Sequence, residues 1–289
     1  MKQNKILTIL VLLIAAAAIT ASSFGIFSDD GKGVYEYQSI RGEEVMIYGK
    51  GIYKHMSADV AVQGIAQDYV TLLVGVPFLW AALFWSRKNS TKGMLLLSGT
   101  LLYFLVTYLF YLAMGMYNEM FLVYVFLTGS SFFAFVVALF TFDFNKVKEV
   151  FSSHKLMRNT GVFLIINSVM VALLWLGIIV PPLLDGSIYP EQLQHYTTLI
   201  VQGFDLALLL PISFVVGILA VRKRGIGYLF ASVYVVFLSF LMVALTSKIL
   251  FMANTGQNVV PVIFIMPTIA LIAIIFSVLI LRSIKKFSS

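Results

Sequence analysis

The chain has 289 residues, 60% hydrophobic and only 11% charged, with a formal net charge of +7. Soluble domains carry about 25% charged residues, so a soluble enzyme built around one core is excluded and a polytopic membrane protein is expected. The chain has no cysteine, which excludes disulfides, thiolate metal sites and thiol catalysis.

A helix needs about 20 apolar residues to cross the hydrocarbon core of a bilayer. In chain order, the apolar blocks predict spans at 6–27, 66–86, 93–114, 120–141, 161–183, 198–221, 227–250 and 260–281. The first block, "MKQNKILTILVLLIAAAAITASSFG", also has the build of a cleaved signal peptide: a basic start, an apolar stretch, then small residues. Its apolar stretch exceeds the roughly 7–15 residues of a signal sequence, which favours a membrane anchor over residues 1–27. Residues 28–65 form an extracytoplasmic segment. "GVYEYQSIRGEEVMIYGKGIYKH" alternates apolar and polar residues between glycines, and reads as two or three short strands. Its tyrosines, Tyr35, Tyr37, Tyr48 and Tyr53, either face a ligand or pack at the membrane interface, where tyrosine is favoured. The remainder divides into a membrane unit at 66–142 (spans 2–4), a cytoplasmic loop at 143–160, span 5 at 161–183, and a second unit at 184–289 (spans 6–8).

The basic residues orient these spans. With the N-terminus inside, Lys2, Lys5, Arg87, Lys88, Lys92, Lys146, Lys148, Lys155, Arg158, Arg222, Lys223, Arg224, Arg282, Lys285 and Lys286 all fall on the inner side. Positive charge is retained in short cytoplasmic loops, so both termini are expected in the cytoplasm. The charge is then a topology signal and a contact for anionic lipid headgroups, and no nucleic-acid partner is expected. The expected fold is an all-α transmembrane helical bundle of about eight spans, N-in and C-in, with a small β-rich extracytoplasmic cap between spans 1 and 2.

"AQDYVTLLVGVPFLWAALFWSRKNSTKG" can be laid on "VQGFDLALLLPISFVVGILAVRKRGIG" with short gaps. Gln67 then meets Gln202, Pro77 falls near Pro211, and Gly93 meets Gly227. A parallel repeat of spans 2–4 and 6–8 is one architecture of transporters, although similar helix ends in a low-complexity alphabet also look alike. Pro77 and Pro211 fall mid-span and are expected to kink both helices.

Between Asp68 and Arg87, and between Asp205 and Arg222, lie about 25–29 Å of helix. Both carboxylates therefore belong near the outer edge of the core, and neither needs to be deeply buried. Helical spacing places Thr198, Gln202, Asp205 and Ser213 on one face of span 6, and Gly64, Asp68, Thr71 and Gly75 on one face of span 2. Thr100, Tyr103, Thr107 and Tyr111 stripe span 3, and Tyr124, Thr128 and Ser131 stripe span 4. Lys248 near the outer end of span 7 is the natural ion partner of Asp205 or Asp68, and Glu119 opens span 4. Polar faces turn away from hydrocarbon, and intramembrane ionisable groups pair or line wet cavities. Asp68, Asp205, Gln202, Lys248, Tyr103, Thr107, Tyr111 and Glu119 are therefore the candidate ligand-binding set. The alternative stays open that both aspartates are helix-end residues favoured by the dipole, with Lys248 snorkelling.

Several motifs are missing. There is no GxxxG pair, Walker A, HExxH or GxSxG. The three histidines divide between the two sides, so no metal site and no cofactor are expected. No catalytic residues are assigned.

"RGEEVMIYGKGIYKHMSADVAVQGIAQDYVTLLVGVPFL" resembles a family of prokaryotic polytopic membrane proteins to which no activity is assigned. "GTLLYFLVTYLFYLAMGMYNEMFLVYV" and "YTTLIVQGFDLALLLP" are similar to later segments of the same family. The likeness spans roughly 35–142 and 196–228, and rests most on Arg41-Gly42-Glu43, Tyr48-Gly49 and Gln67-Asp68. It implies a multi-pass protein of a prokaryotic plasma membrane whose outer polar residues recur as a set, and it brings no activity. Three functions follow as expectations. The first is non-enzymatic binding of a small ligand or ion in an outward-facing intramembrane cavity, for transport or sensing. The second is a scaffold or subunit for another membrane protein. The third is a membrane-embedded enzyme acting on a lipid-like substrate.

Overall fold

The computed structural model describes residues 5–114 and 116–285. Lys2 and Lys286, two of the basic residues assigned to the inner side, lie outside the described residues. Eight of the described helices are long and apolar enough to cross a membrane. They are α1 (Lys5–Phe27), α2 (Ala58–Ser86), α3 (Thr91–Met114), α4 (Phe121–Leu139), α5 (His154–Asp185), α6 (Ile200–Val221), α7 (Gly225–Asn254) and α8 (Val262–Ser283). Between α1 and α2 the chain forms one antiparallel hairpin, β1 (Tyr35–Gln38) and β2 (Glu44–Ile47), with Tyr35 opposite Ile47. A single 3₁₀ turn, Gly51–Tyr53, follows. The described sheet thus has two strands, the lower of the expected numbers.

Two boundaries move. Helix α2 starts at Ala58 rather than 66, with Ser57 before it and Asp59 in its first turn, where a carboxylate favours the helix dipole. These first turns are polar, so hydropathy alone assigned them to the preceding segment, which shrinks to 28–57. Helix α5 starts at His154 rather than 161. Ser153 caps it, its Oγ accepting the Leu156 N–H at 3.2 Å, and the basic residues Lys155 and Arg158 had masked those first turns.

Helices α3 and α7 form the centre. Tyr103, Phe104, Tyr108 and Phe237 are fully buried along them. Helix α3 packs on α2, α4 and α7, and α7 also contacts α2, α6 and α8. Helix α1 packs on α2 and α4, with Val11, Ile14, Ala15 and Ala18 buried, while α5 lies against α6. Leu173 and Leu176 on α5 and Phe264 and Leu271 on α8 stay exposed. Facing lipid costs such side chains nothing, because lipid tails are as apolar as they are.

Pro77 and Pro211 each follow a π turn. Proline lacks an N–H, and its ring clashes with the carbonyl four residues back. In α2 the clash is relieved by one π turn, Thr71–Gly75, closed by the Val76 N–H bonding the Thr71 carbonyl. In α6 the same turn spans Asp205–Leu209, closed by the Leu210 N–H to the Asp205 carbonyl. One constant spacing relates Thr71 to Asp205, Pro77 to Pro211, Thr91 to Gly225 and Gly93 to Gly227. The glycines match in environment too. A Cβ on Gly93 would fall 2.5 Å from the Ser86 nitrogen, and one on Gly227 2.4 Å from the Leu219 carbonyl carbon. Both helix pairs make the same tight inner corner, so only glycine fits either. In this gapless register Asp68 matches Gln202 and Thr71 matches Asp205, which shifts the sequence alignment by one position.

The basic turns gather at one end of the bundle. Lys92 Nζ lies 3.5 Å from the Arg282 carbonyl, Ser152 Oγ donates to the Ser283 carbonyl at 2.5 Å, and Lys285 N donates to Val150 O at 3.0 Å. The hairpin, the 116–120 connection and the 186–199 connection meet at the other end. There Arg41 donates through Nη2 to the carbonyls of Gln194 and, at 3.0 Å, Tyr196. Ser57 N donates to the Tyr196 hydroxyl at 3.2 Å.

Candidate functional site

Asp68 sits about three turns into α2, and only 3% of it is exposed. Deep burial overturns the expectation of a shallow helix-end carboxylate. The segment between α1 and α2 makes the difference, because its 3₁₀ turn at Gly51–Tyr53 places Tyr53 against Asp68. The Tyr53 hydroxyl donates to Asp68 Oδ2. Burial, with the Asp68 charge beside it, pushes the Tyr53 phenol well above its ordinary pKa, so it remains a protonated donor. Tyr111 on α3 reaches the other oxygen, its hydroxyl 3.0 Å from Oδ1. The same hydroxyl lies 3.0 Å from the Gly64 carbonyl and 3.1 Å from the Tyr53 hydroxyl. The Tyr124 ring of α4 stacks on Tyr111 at 5.3 Å. Helix α1 closes the remaining wall with Gly25, where a Cβ would stand 1.7 Å from Asp68 Oδ2.

A second polar layer lies one turn inward. Gln67 Nε2 donates to Tyr103 at 2.8 Å and to Thr107 at 3.4 Å, and Thr71 Oγ1 is 2.9 Å from the Tyr103 hydroxyl. Thr71 is the residue at which the π turn of α2 begins, so the irregular backbone and the polar layer coincide. π turns inside α-helices are frequent at functional sites. Alongside, Ser22 Oγ and the Tyr108 hydroxyl are buried beside one another, with no hydrogen bond to Asp68.

The expected ligand set therefore divides. Asp68, Tyr103, Thr107 and Tyr111 come together, joined by Gln67, Thr71 and Tyr53. Asp205 stands apart, half-buried at the start of the π turn of α6, accepting the Trp175 indole N–H of α5 at 2.8 Å. Ser213 also faces α5, donating to the Leu164 carbonyl at 3.3 Å, while Thr198 precedes the helix. Gln202 is half-buried on α6, outside the Asp68 network. Thr100 turns to its own helix, donating to Leu96 O at 2.8 Å.

Lys248 was expected to pair with one of the aspartates, and it does not. Among the described residues the ion pairs are those of Lys54, with Glu119 at 2.8 Å and Asp30 at 3.9 Å. Lys248 lies within electrostatic reach of both Asp68 and Asp205 and touches neither. Ser247 beside it donates to the Ala66 carbonyl at 3.3 Å, which fixes this part of α7 against α2. Glu119 also leaves the ligand set. It is exposed at the cap, where the hydrogen bond from Lys54 holds its carboxyl below the usual carboxylate range.

The sequence stripes found Tyr103, Thr107 and Tyr111 because the four-residue period of α3 survives in the packed helix. Tyr53 entered only as one of four tyrosines that either face a ligand or pack at the interface, and Gly25 and Trp175 were missed. Gly25 lies outside spans 2–8, where the polar search ran, and an indole N–H gives no periodic signal. Among the described residues, no group of three or more His, Cys, Asp or Glu side chains is placed to hold a metal ion. No protein-family model matches the chain, nor does any curated protein or solved structure.

Proposed function

We propose that the protein binds a small ligand or ion at Asp68, in the outer half of the bundle, and serves transport or sensing rather than catalysis. The observation that carries this reading is a sealed carboxylate held only by phenols, with a lysine in reach but unpaired. A charge buried without a direct counter-charge is costly, and intramembrane groups of this kind mark substrate, ion or proton pathways. The duplicated, π-turned helices α2 and α6 support transport, since parallel repeats and interrupted helices around a central site are a transporter architecture. The cap then closes the site from outside, through Tyr53 and the Lys54–Glu119 pair. The basic end faces the cytoplasm of a prokaryotic cell, with the hairpin outside the plasma membrane.

Thermal unfolding of the purified protein in detergent, across a panel of pH values, ions and small solutes, tests this. A ligand at about 100 times its dissociation constant adds about 2.7 kcal/mol to stability. The expected result is a shift in wild type that Asp68→Asn loses and Asp205→Asn keeps. A flat response across the panel, together with co-purification of a defined membrane protein, would replace this reading with that of a scaffold.

A further inference from the structure

Asp68 faces groups from five directions. Helix α1 presents Gly25, which brings no side chain. The cap presents Tyr53. Helix α3 presents Tyr111, with Tyr108 and Tyr103 one and two turns inward, and α4 presents Tyr124. Helix α7 brings Lys248 within electrostatic reach. Among the described residues, only Tyr53 and Tyr111 hydrogen-bond the carboxylate.

A resident metal cation needs a shell of oxygen lone pairs, about six or more for the common divalent ions. Phenolic hydrogens aimed at both carboxylate oxygens occupy that space with positive charge. The Gly64 carbonyl beside it is already within reach of Tyr111. A proton needs only one oxygen and a neighbour able to change roles. Tyr111 is such a neighbour, because its hydroxyl has one hydrogen and two acceptors at equal distance, 3.0 Å to Asp68 Oδ1 and 3.0 Å to the Gly64 carbonyl. With Asp68 ionised, Tyr111 donates to Oδ1. With a proton from water bonded to Oδ1, the new acid donates to the Tyr111 oxygen, and Tyr111 turns its hydrogen to Gly64. Both states are fully hydrogen-bonded, and no heavy atom has to move.

We propose that the species taken up at Asp68 is a proton, with Tyr111 as the hydroxyl rotor that satisfies both forms of the carboxyl group. The proposal rests on Asp68 being the binding residue and names what it binds. Uptake adds one proton to Oδ1 and neutralises the carboxylate.

Infrared difference spectroscopy of the full chain in lipid films, stepped in pH in sodium chloride or in choline chloride, reads this directly. The expected result is a carboxylic-acid carbonyl band that grows as pH falls, equally in both salts. It is retained in Asp205→Asn and lost in Asp68→Asn. Tyr111→Phe is expected to keep the band and move it to higher wavenumber, because the acid loses its hydrogen-bond acceptor. That variant identifies the band even if Asp68→Asn does not fold. A band that sodium suppresses and choline does not would overturn the proton in favour of a cation, while leaving Asp68 as the binding residue. No titrating band assignable to Asp68 would also overturn it, and a band unmoved in Tyr111→Phe would overturn the rotor. A ligand-induced thermal shift that survives in Asp68→Asn would instead overturn the site itself.

Discussion

Replacing Gly25 by alanine probes the wall of the site most directly. The added Cβ would lie 1.7 Å from Asp68 Oδ2, 2.7 Å from its Cγ and 3.1 Å from the Tyr53 hydroxyl. Comfortable contact begins at roughly 3.5 Å, so the carboxyl must retreat by about 2 Å, or α1 must move away from α2. A displacement of that size breaks the Tyr53 bond and strains the Tyr111 bond. Leaving a buried polar group unsatisfied costs about 1–3 kcal/mol, and more for a charged one. Alanine's helix preference over glycine offsets about 1 kcal/mol of this. For an ionised carboxylate the expected net loss is therefore more than about 2 kcal/mol, read as a lower midpoint of thermal or denaturant unfolding in detergent. Gly129→Ala and Gly177→Ala are the controls, since a Cβ at either position meets nothing within 4 Å. If Gly25→Ala unfolds at the same midpoint as these two, α1 does not seal Asp68 and the geometry argued above is wrong.

Three further outcomes are expected. Tyr111→Phe should destabilise by about 1–3 kcal/mol, whereas Tyr108→Phe, which removes a buried hydroxyl that makes no hydrogen bond to Asp68, should cost less; equal losses in unfolding assays would refute the network. Gly93→Ala and Gly227→Ala should lower the unfolding midpoint by similar amounts if the two inner corners are equivalent; a harmless change at one of them would break the correspondence. Burial holds the His195 ring below its ordinary pKa, with Arg41 adding to the effect. Its Nε2 lies 3.1 Å from the His55 carbonyl while its Nδ1 is buried without an acceptor. The folded pKa is thus below the unfolded value of about 6.5, so the stability of burying the neutral ring is full above that pH and is lost as pH falls from there through the folded pKa. Amide exchange in the 186–199 connection should therefore quicken below about pH 6.5, and a rate independent of pH after intrinsic correction would count against it.

Sequence alone determined the architecture. Backbone polar groups must be satisfied within each segment in lipid, so long apolar blocks leave little choice but helices. The basic turns at Arg87, Lys148, Arg222 and Arg282 then sort to one end. The prolines at 77 and 211 announced deformed helices, and the period of Tyr103, Thr107 and Tyr111 announced an inward polar stripe. What tertiary structure alone decided was which groups meet. Asp68 and Asp205 look alike along the chain, with the same apolar run and the same distance to a basic turn. They differ because the cap lays Tyr53 over one and Trp175 of α5 reaches the other. Gly25 became a wall by standing opposite a carboxylate from a different helix, and Lys248 remained unpaired because phenols claimed its expected partner. Contacts between elements depend on crossing angles and on a folded-back loop, and neither is encoded in the period of any single helix.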